Sequence, residues 1–355
     1  MGLSPFVSRH VRCSRQPSEA ARELARQLSQ RRYDWIIVAD EDLLAAATDG
    51  MEPHEYRAWF PYDAERLALV SKYSFLERMI ELGINVPTSR FVQTAEEAAE
   101  WMRELRVPLV VKGDRGYWGR EVRIVTDVEG LRSAVAAFAP AYGRVVVQQF
   151  IRGDDVSASV LYQRGKPIAW KACRTSCCYP NAHSASTLHE SIVHPELEGI
   201  IRAVGAATGF HGFAGMDFVV DSKSSELFLL EFNPRPTIGL AGARANRRFF
   251  EPAVRAFVSD APAAEVRRYT GAPRQAYFPS YLYYASSHPR LAKLSHLILC
   301  FSEMRLTEWR LWSWLIARAV KNALKGRFAA TPAFVPLPAL PPRRLPVSGA
   351  TREQR

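Results

Sequence analysis

Apolar positions recur at helical spacing in the first third of the chain and at strand spacing from Pro108 onward. Residues 18–31, SEAARELARQLSQR, place Ala21, Leu24 and Leu28 on one stripe with Arg and Glu opposite, which predicts an amphipathic helix. The run DWIIVADED over 34–42 is short, apolar and ends in carboxylates. It predicts a buried strand delivering Asp40, Glu41 and Asp42 to its end. Helices are expected over 64–82, closed by Gly83, and over 93–106, opened by Thr94 with Glu97 at the capping-box position. Then PLVVKGD, REVRIV and VVVQQFI read as β-branched strands, with Gly113, Gly116 and Gly119 between the first two. SASVLYQ and KPIAWKA flank an Arg164-Gly165 turn and predict a hairpin. A helix over 195–208 precedes two further strands, GMDFVVD and ELFLLEFN, joined by the polar turn SKSS.

Composition narrows the class without naming a function. The 355 residues are 48% hydrophobic and 23% charged, ordinary for a globular protein with a sizeable core. Five cysteines are too few and too unevenly spaced for a disulfide framework, so a reducing, cytoplasmic setting is the default expectation. The net charge of +11 sits mostly at one end: residues 290–355 hold 12 Lys/Arg against 3 Glu. A nucleic-acid-binding core would carry its own basic face. Here the surplus belongs to a C-terminal appendage, and no specific nucleic-acid partner is expected.

The chemistry lies in four features that recur in order. Lys112 ends an apolar strand directly before the glycine-rich GDRGYWGR. VVVQQFI is followed by RGDD. Asp217 lies inside the apolar GMDFVV. LEFNPRP sets Glu231, Asn233 and Arg235 at alternate positions, hence on one face. Carboxylates in strands this apolar repel one another unless a cation compensates. Oxygen-only ligands suit Mg²⁺, which completes its shell with water and phosphate oxygens. A lysine and a glycine loop supply charge and backbone N–H groups for phosphates. The P-loop pattern GxxxxGK[ST] is absent, and the glycine spacing is not that of a dinucleotide fingerprint.

Over residues 65–255 this ordered set resembles the ATP-grasp superfamily, in particular its carboxylate–amine ligases and carbamoyl-phosphate synthetase ATP-binding domains. The resemblance implies an α/β (α+β) ATP-grasp fold with an abbreviated, Rossmann-like N-terminal region. It implies that Lys72 and Lys112 contact ATP, the latter at the α- and β-phosphates. Gln148, Phe150 and Ile151 match the adenine hinge, with Gln148 in place of the more usual Glu. Asp155 falls where a carboxylate accepts the ribose hydroxyls. Asp217, Glu231 and Asn233 match the magnesium ligands (Mn²⁺ being the alternative ion), and Arg235 matches a residue that steadies the reacting group. Lys171 and Arg174 follow a strand that the family runs beside the triphosphate. The segment YPNAHSASTLHES stands where the family has a glycine-rich substrate segment.

The expected organisation is an N-terminal region over 1–70 and an ATP-grasp domain over 71–275. Within that domain, 107–150 would be the small ATP-binding part and 151–275 the metal and substrate part. A basic helical region over 276–330 and a Pro-rich tail over 331–355 follow. Residues 302–327 read as an amphipathic helix with three tryptophans and six basic residues. Such a helix suits packing on the main domain or a second subunit first, with an interfacial membrane contact as the alternative. The implied activity is an ATP- and Mg²⁺-dependent ligase that activates a carboxylate as an acyl phosphate and joins it to an amine. A small-molecule phosphotransferase and a non-catalytic nucleotide-binding regulator are the alternatives.

Overall fold

A computed structural model describes residues 7–31, 33–50, 71–105, 108–114, 122–142, 144–179, 186–240, 243–261, 266–269, 274–277, 280–287, 293–302 and 309–324. The glycine loop beyond Asp114, the segment 180–185 and the Pro-rich tail lie outside these residues.

The N-terminal region is helical. It comprises α1 (Pro17–Ser29) and α2 (Glu41–Gly50), which pack through Ala21, Leu44 and Ala47. The strand expected over 34–42 is not formed. Residues 35–40 have no strand partner, and α2 begins at Glu41, where Asp40 Oδ1 accepts the Leu43 N–H at 2.9 Å. A strand needs a neighbour to satisfy its backbone groups, and this region offers none among the described residues. Ile36 and Val38 pack against the two helices instead.

A four-stranded antiparallel sheet follows, built from β1 (Ser89–Val92), β2 (Leu109–Gly113), β3 (Val122–Val125) and β4 (Val145–Gln149), in the order β1-β4-β2-β3. Helices α4 (Ala95–Glu104) and α5 (Val128–Tyr142) cover one face, burying Trp101, Met102, Leu131 and Val135 against Leu109, Val111, Val145 and Val147. Thr94 caps α4 as expected, accepting the Glu97 N–H at 3.2 Å, while Glu97 reaches back to the Gln93 N–H at 2.8 Å. Helix α5 is a helix the strand-rich reading passed over, although Leu131, Ala134, Val135 and Phe138 have its spacing.

The larger, seven-stranded sheet contains β5 (Gly153–Gln163), β6 (Lys166–Cys178), β7 (Ser186–Ser191), β8 (Gly212–Asp221), β9 (Leu227–Asn233), β10 (Arg267–Arg268) and β11 (Arg274–Ala276). Its order is β11-β7-β6-β5-β8-β9, with β10 paired to β6. The predicted β5–β6 hairpin turns through Arg164 and Gly165, both at positive φ. Two helices lie on one face, α3 (Lys72–Glu81) and α6 (Leu197–Thr208). They bury Phe75, Leu76, Met79, Ile201 and Val204 against Val156, Val160, Trp170, Met216 and Phe218. Helix α7 (Ala243–Val258) packs Phe250, Ala253 and Phe257 on Leu161, Ile168 and Ala169 of the opposite face.

The C-terminal part is joined to this sheet through β11. Helices α8 (Ser280–Ser287) and α9 (Leu294–Ser302) pack Tyr281 and Cys300 against Leu188 and Ala276. The basic amphipathic segment becomes α10 (Trp309–Leu324), with Trp309 and Trp314 exposed and Trp312 half-buried. Among the described residues no helix is long and apolar enough to cross a membrane.

Candidate nucleotide and metal site

Strand alternation aims two sets of polar side chains away from the cores. In the small sheet Val111, Val145 and Val147 face the helices, so Lys112 and Gln148 share the other face; Lys112 pairs with Val146, and Gln148 with Val110. In the large sheet Val156, Ala158, Met216 and Phe218 face α6, so Ser157, Ser159, Lys171 and Asp217 lie opposite.

Strand β9 breaks this alternation where it matters most. Leu227, Leu229 and Phe232 are all in the core, which strict alternation forbids. Asp217 pairs with Glu231 while Phe218 pairs with Leu229, leaving Leu230 as an extra residue. This bulge reverses the side-chain parity and turns Glu231 and Asn233 to the face that carries Asp217.

The groups so gathered are mutually close. Asn233 Nδ2 donates to Asp217 Oδ2 at 3.0 Å, and Arg235 donates to Asn233 Oδ1 at 3.2 Å. Lys72 Nζ lies 3.7 Å from Glu231 Oε2. Lys72 opens α3, and Asp114 fixes it there. Asp114 Oδ1 accepts from the Ser71 hydroxyl at 2.9 Å and the Tyr73 N–H at 3.3 Å, and its carbonyl accepts the Lys72 N–H at 3.2 Å. Asp114 follows Lys112 by two residues, so one aspartate ties both lysine-bearing segments together. Nothing in its own segment singles it out, because its partners lie some forty residues away.

Charge balance in the cluster is uneven. Burial, then the charge of Glu231, pushes Asp217 well above the usual carboxylate range. Burial pushes Glu231 up as well, but Lys72 and then Lys112 hold it below its ordinary value. Burial lowers Lys112 to about 8, opposed by Glu231 and reinforced by Lys72. The donor set on this face is two carboxylates and an amide carbonyl. Mg²⁺ takes one or two carboxylates and fills the rest of its octahedron with phosphate oxygens and water, so the set fits that ion. No group of three or more His, Cys, Asp or Glu that could hold an ion alone occurs among the described residues.

The remaining predicted residues are spread around this cluster. Gln148 is buried on β4, where its Nε2 donates to Ser89 Oγ at 2.8 Å. Phe150 and Ile151 follow directly and are half-buried. Asp155 stands exposed on β5; the surrounding protein and then Asp154 raise its carboxyl to about 6, a push that solvent screens. Lys171 is 1% exposed and donates to Gln275 Oε1 at 2.6 Å, with Tyr269 beneath it. Arg174 is ion-paired to Asp154 at 3.2 Å and Glu190 at 2.6 Å, away from the cluster.

A family model described as an ATP-grasp domain matches residues 69–239. The chain is 22% identical over 228 residues to the D-alanine--D-alanine ligase of Xylella fastidiosa, covering 60% of this chain and 75% of that one. It is 29% identical over 173 residues to the phosphoribosylamine--glycine ligase of Lactococcus lactis, covering 42% of this chain and 41% of the relative. It spans about half or less of the other curated relatives it matches. In three dimensions it resembles the biotin carboxylase domain of the Hydrogenobacter thermophilus 2-oxoglutarate carboxylase, solved with MgADP and bicarbonate. The TM-score is 0.57 at 18% identity, over 72% of this chain and 60% of the other. The two sheets, with Lys112 on one and Asp217, Glu231 and Asn233 on the other, are thus those of a known architecture, and residues 69–239 match the ATP-grasp domain family.

Proposed function

We propose that the protein is an ATP-dependent ligase that activates a carboxylate as an acyl phosphate and joins it to an amine. The observation that carries this reading is the meeting of Lys72 and Lys112 with Asp217, Glu231, Asn233 and Arg235. A triphosphate and an incoming carboxylate repel each other strongly, and cations held in a low-dielectric site offset that repulsion most effectively. Lys112, strand-held and buried, would contact the α- and β-phosphates; Lys72, on the first turn of α3, would add charge beside Glu231. Asp217, Glu231 and Asn233 would hold Mg²⁺, which would supply charge neutralisation for the triphosphate. Gln148, Phe150 and Ile151 would grip the adenine and Asp155 the ribose.

The carboxylate oxygen then attacks the γ-phosphorus in line, the bond to the β-phosphate oxygen breaks, and ADP leaves. The amine nitrogen next adds to the acyl carbon and phosphate departs, with Arg235 countering the negative charge on the carbonyl oxygen. The named relatives are C–N ligases, and this supports the amine as the second substrate.

The test is ADP and phosphate release from Mg-ATP across pools of amino acids and small carboxylic acids. Release is expected only when an acid and an amine are both present, and it vanishes in Glu231→Gln. A stable phosphorylated product without amine consumption would replace the ligase with a phosphotransferase.

A further inference from the structure

Gln148 presents an ambiguity that a carboxylate at the same position would not. A side-chain amide fits its pocket equally well with oxygen and nitrogen exchanged. One orientation offers an acceptor to a base and the other a donor. Gln148 is 1% exposed on β4, directly opposite Ser89 of β1 in the sheet register.

Ser89 removes the ambiguity. Its Oγ lies 2.7 Å from the Pro87 carbonyl oxygen. Two oxygens at that distance have the hydroxyl proton between them, so the Ser89 hydroxyl is committed as a donor to Pro87. Toward Gln148, 2.8 Å away, the same oxygen can only accept, and the atom facing it must be Nε2. Oε1 is left as the acceptor on the face shared with Lys112, and it makes no hydrogen bond to any described residue.

We propose that Ser89 is a positioning residue for purine selection: by pinning the Gln148 amide, it presents a carbonyl oxygen to the six-position of the base and so admits adenine and rejects guanine. Adenine carries an amino donor there and guanine a carbonyl acceptor. A fixed amide oxygen pairs with the first and faces the second oxygen to oxygen. Ser89 touches no nucleotide itself and acts only through Gln148. The proposal rests on Gln148 as the adenine acceptor, and the experiment separates the two.

Dissociation constants of the β,γ-imido analogues of ATP and GTP, with Mg²⁺, are measured by calorimetry for wild type, Ser89→Ala, Ser89→Thr, Gln148→Glu and the Ser89→Ala/Gln148→Glu pair. Wild type should prefer the ATP analogue by about a hundredfold or more. In Ser89→Ala the amide is free to turn, and the preference should shrink by about tenfold or more, partly because the GTP analogue binds more tightly than to wild type. A general lesion in β1 cannot produce that tightening. Ser89→Thr keeps the hydroxyl and should keep the preference. The double variant should regain it, because a carboxylate accepts through both oxygens and has no donor face to present. If Ser89→Ala does not fold, Ser89→Cys, which keeps the volume but hydrogen-bonds weakly, should shift the ratio in the same direction. Equal weakening of both analogues in Ser89→Ala, or an unchanged ratio, overturns the proposal. Wild type binding both purines equally overturns it and leaves the ATP-dependent ligase standing. Wild type binding neither analogue removes the nucleotide site altogether.

Discussion

The large sheet carries two polar clusters that differ in kind. Around β8 and β9, Asp217, Asn233 and Arg235 are linked at 3.0 and 3.2 Å, Lys72 lies 3.7 Å from Glu231, Lys112 is felt by both carboxyl groups through its charge, and the carboxylates push against each other. Around β6, β7 and β11 the contacts are short. Lys171 donates to Gln275 at 2.6 Å, and the Tyr277 hydroxyl meets His189 Nδ1 at 2.7 Å. His189 is held neutral, lowered to about 3 by burial and then by Lys171. The difference teaches what burial alone does not. A cluster whose charges balance only loosely gains from a cation or phosphate that rearranges it. A cluster whose hydrogen bonds are short and whose imidazole stays neutral gains nothing by rearranging, and it ties β11 to the ATP-grasp sheet. The first should govern turnover and the second stability.

The strongest attempt to break this contrast is Glu231→Gln. It keeps the shape and removes the charge beside Lys72, so substrate-dependent ADP release should fall by about 10²–10³-fold or more. The circular dichroism spectrum should be unchanged, since the carboxylate pair loses a repulsion as Lys72 loses a partner. Loss of folding instead would mean that the charged cluster, too, is a fastening. On the other side, Lys171→Met should leave the Mg-ATP dissociation constant unchanged and cost about 1–3 kcal/mol by removing the buried ammonium that donates to Gln275 at 2.6 Å. Melting would fall by about 2–4 °C for each kcal/mol. A large rise in that dissociation constant at unchanged melting temperature would join the two clusters into one nucleotide site, with Lys171 as the phosphate contact its strand position implies.

The neutral cluster also carries a pH signature. His189 has a folded value of about 3 against an ordinary 6.5, so the unfolded chain binds a proton that the folded chain refuses between those values. Stability is therefore full above about 6.5 and declines as pH falls, at no more than about 1.4 kcal/mol per pH unit from this residue. His189→Gln keeps a hydrogen-bonding group for Tyr277 and cannot titrate. Its melting temperature should fall less steeply than that of wild type between pH 6.5 and pH 4. Parallel curves would show that His189 is not the buried neutral base described here.

Much of this was readable in the chain because the informative residues sit in short apolar strands with fixed alternation. Glu231, Asn233 and Arg235 could be put on one shared face from their alternate spacing, and Lys112 and Asp217 in apolar strands from their neighbours. What escaped had a physical reason. The DWIIVADED run has strand composition, but composition cannot supply a pairing partner, and Asp40 became a helix cap. The bulge at Leu230 leaves no mark in a run of leucines, although without it Glu231 would face the core. β11 is three residues long, and nothing in RQA announces that Gln275 meets Lys171, about a hundred positions earlier. Ser89 and Asp114 escaped for the same reason: each acts through a partner that only folding brings near.

Asp114 offers the finest test, because it belongs to both sides of the contrast. Its carboxylate caps α3, as a fastening does, yet the helix it caps begins with Lys72, whose ammonium faces Glu231. Asp114→Ala removes the acceptor for the Ser71 hydroxyl and the Tyr73 N–H, and losing a cap of this kind costs about 0.5–2 kcal/mol. Because the first turn of α3 then frays, Lys72 should lose its fixed position and Mg-ATP should bind a few-fold more weakly. Ser71→Ala removes the N-cap hydroxyl of α3, which accepts the Ser74 N–H, but leaves Asp114 on the Tyr73 N–H, so it should shift both quantities to a similar extent. Measured together, melting temperature and nucleotide affinity should fall in step across these two variants, whereas in Lys171→Met only the first falls. Affinity holding steady in Asp114→Ala would mean that Lys72 keeps its place without the clamp, and that the packing of Phe75, Leu76 and Met79 alone sets the angle at which α3 meets the site.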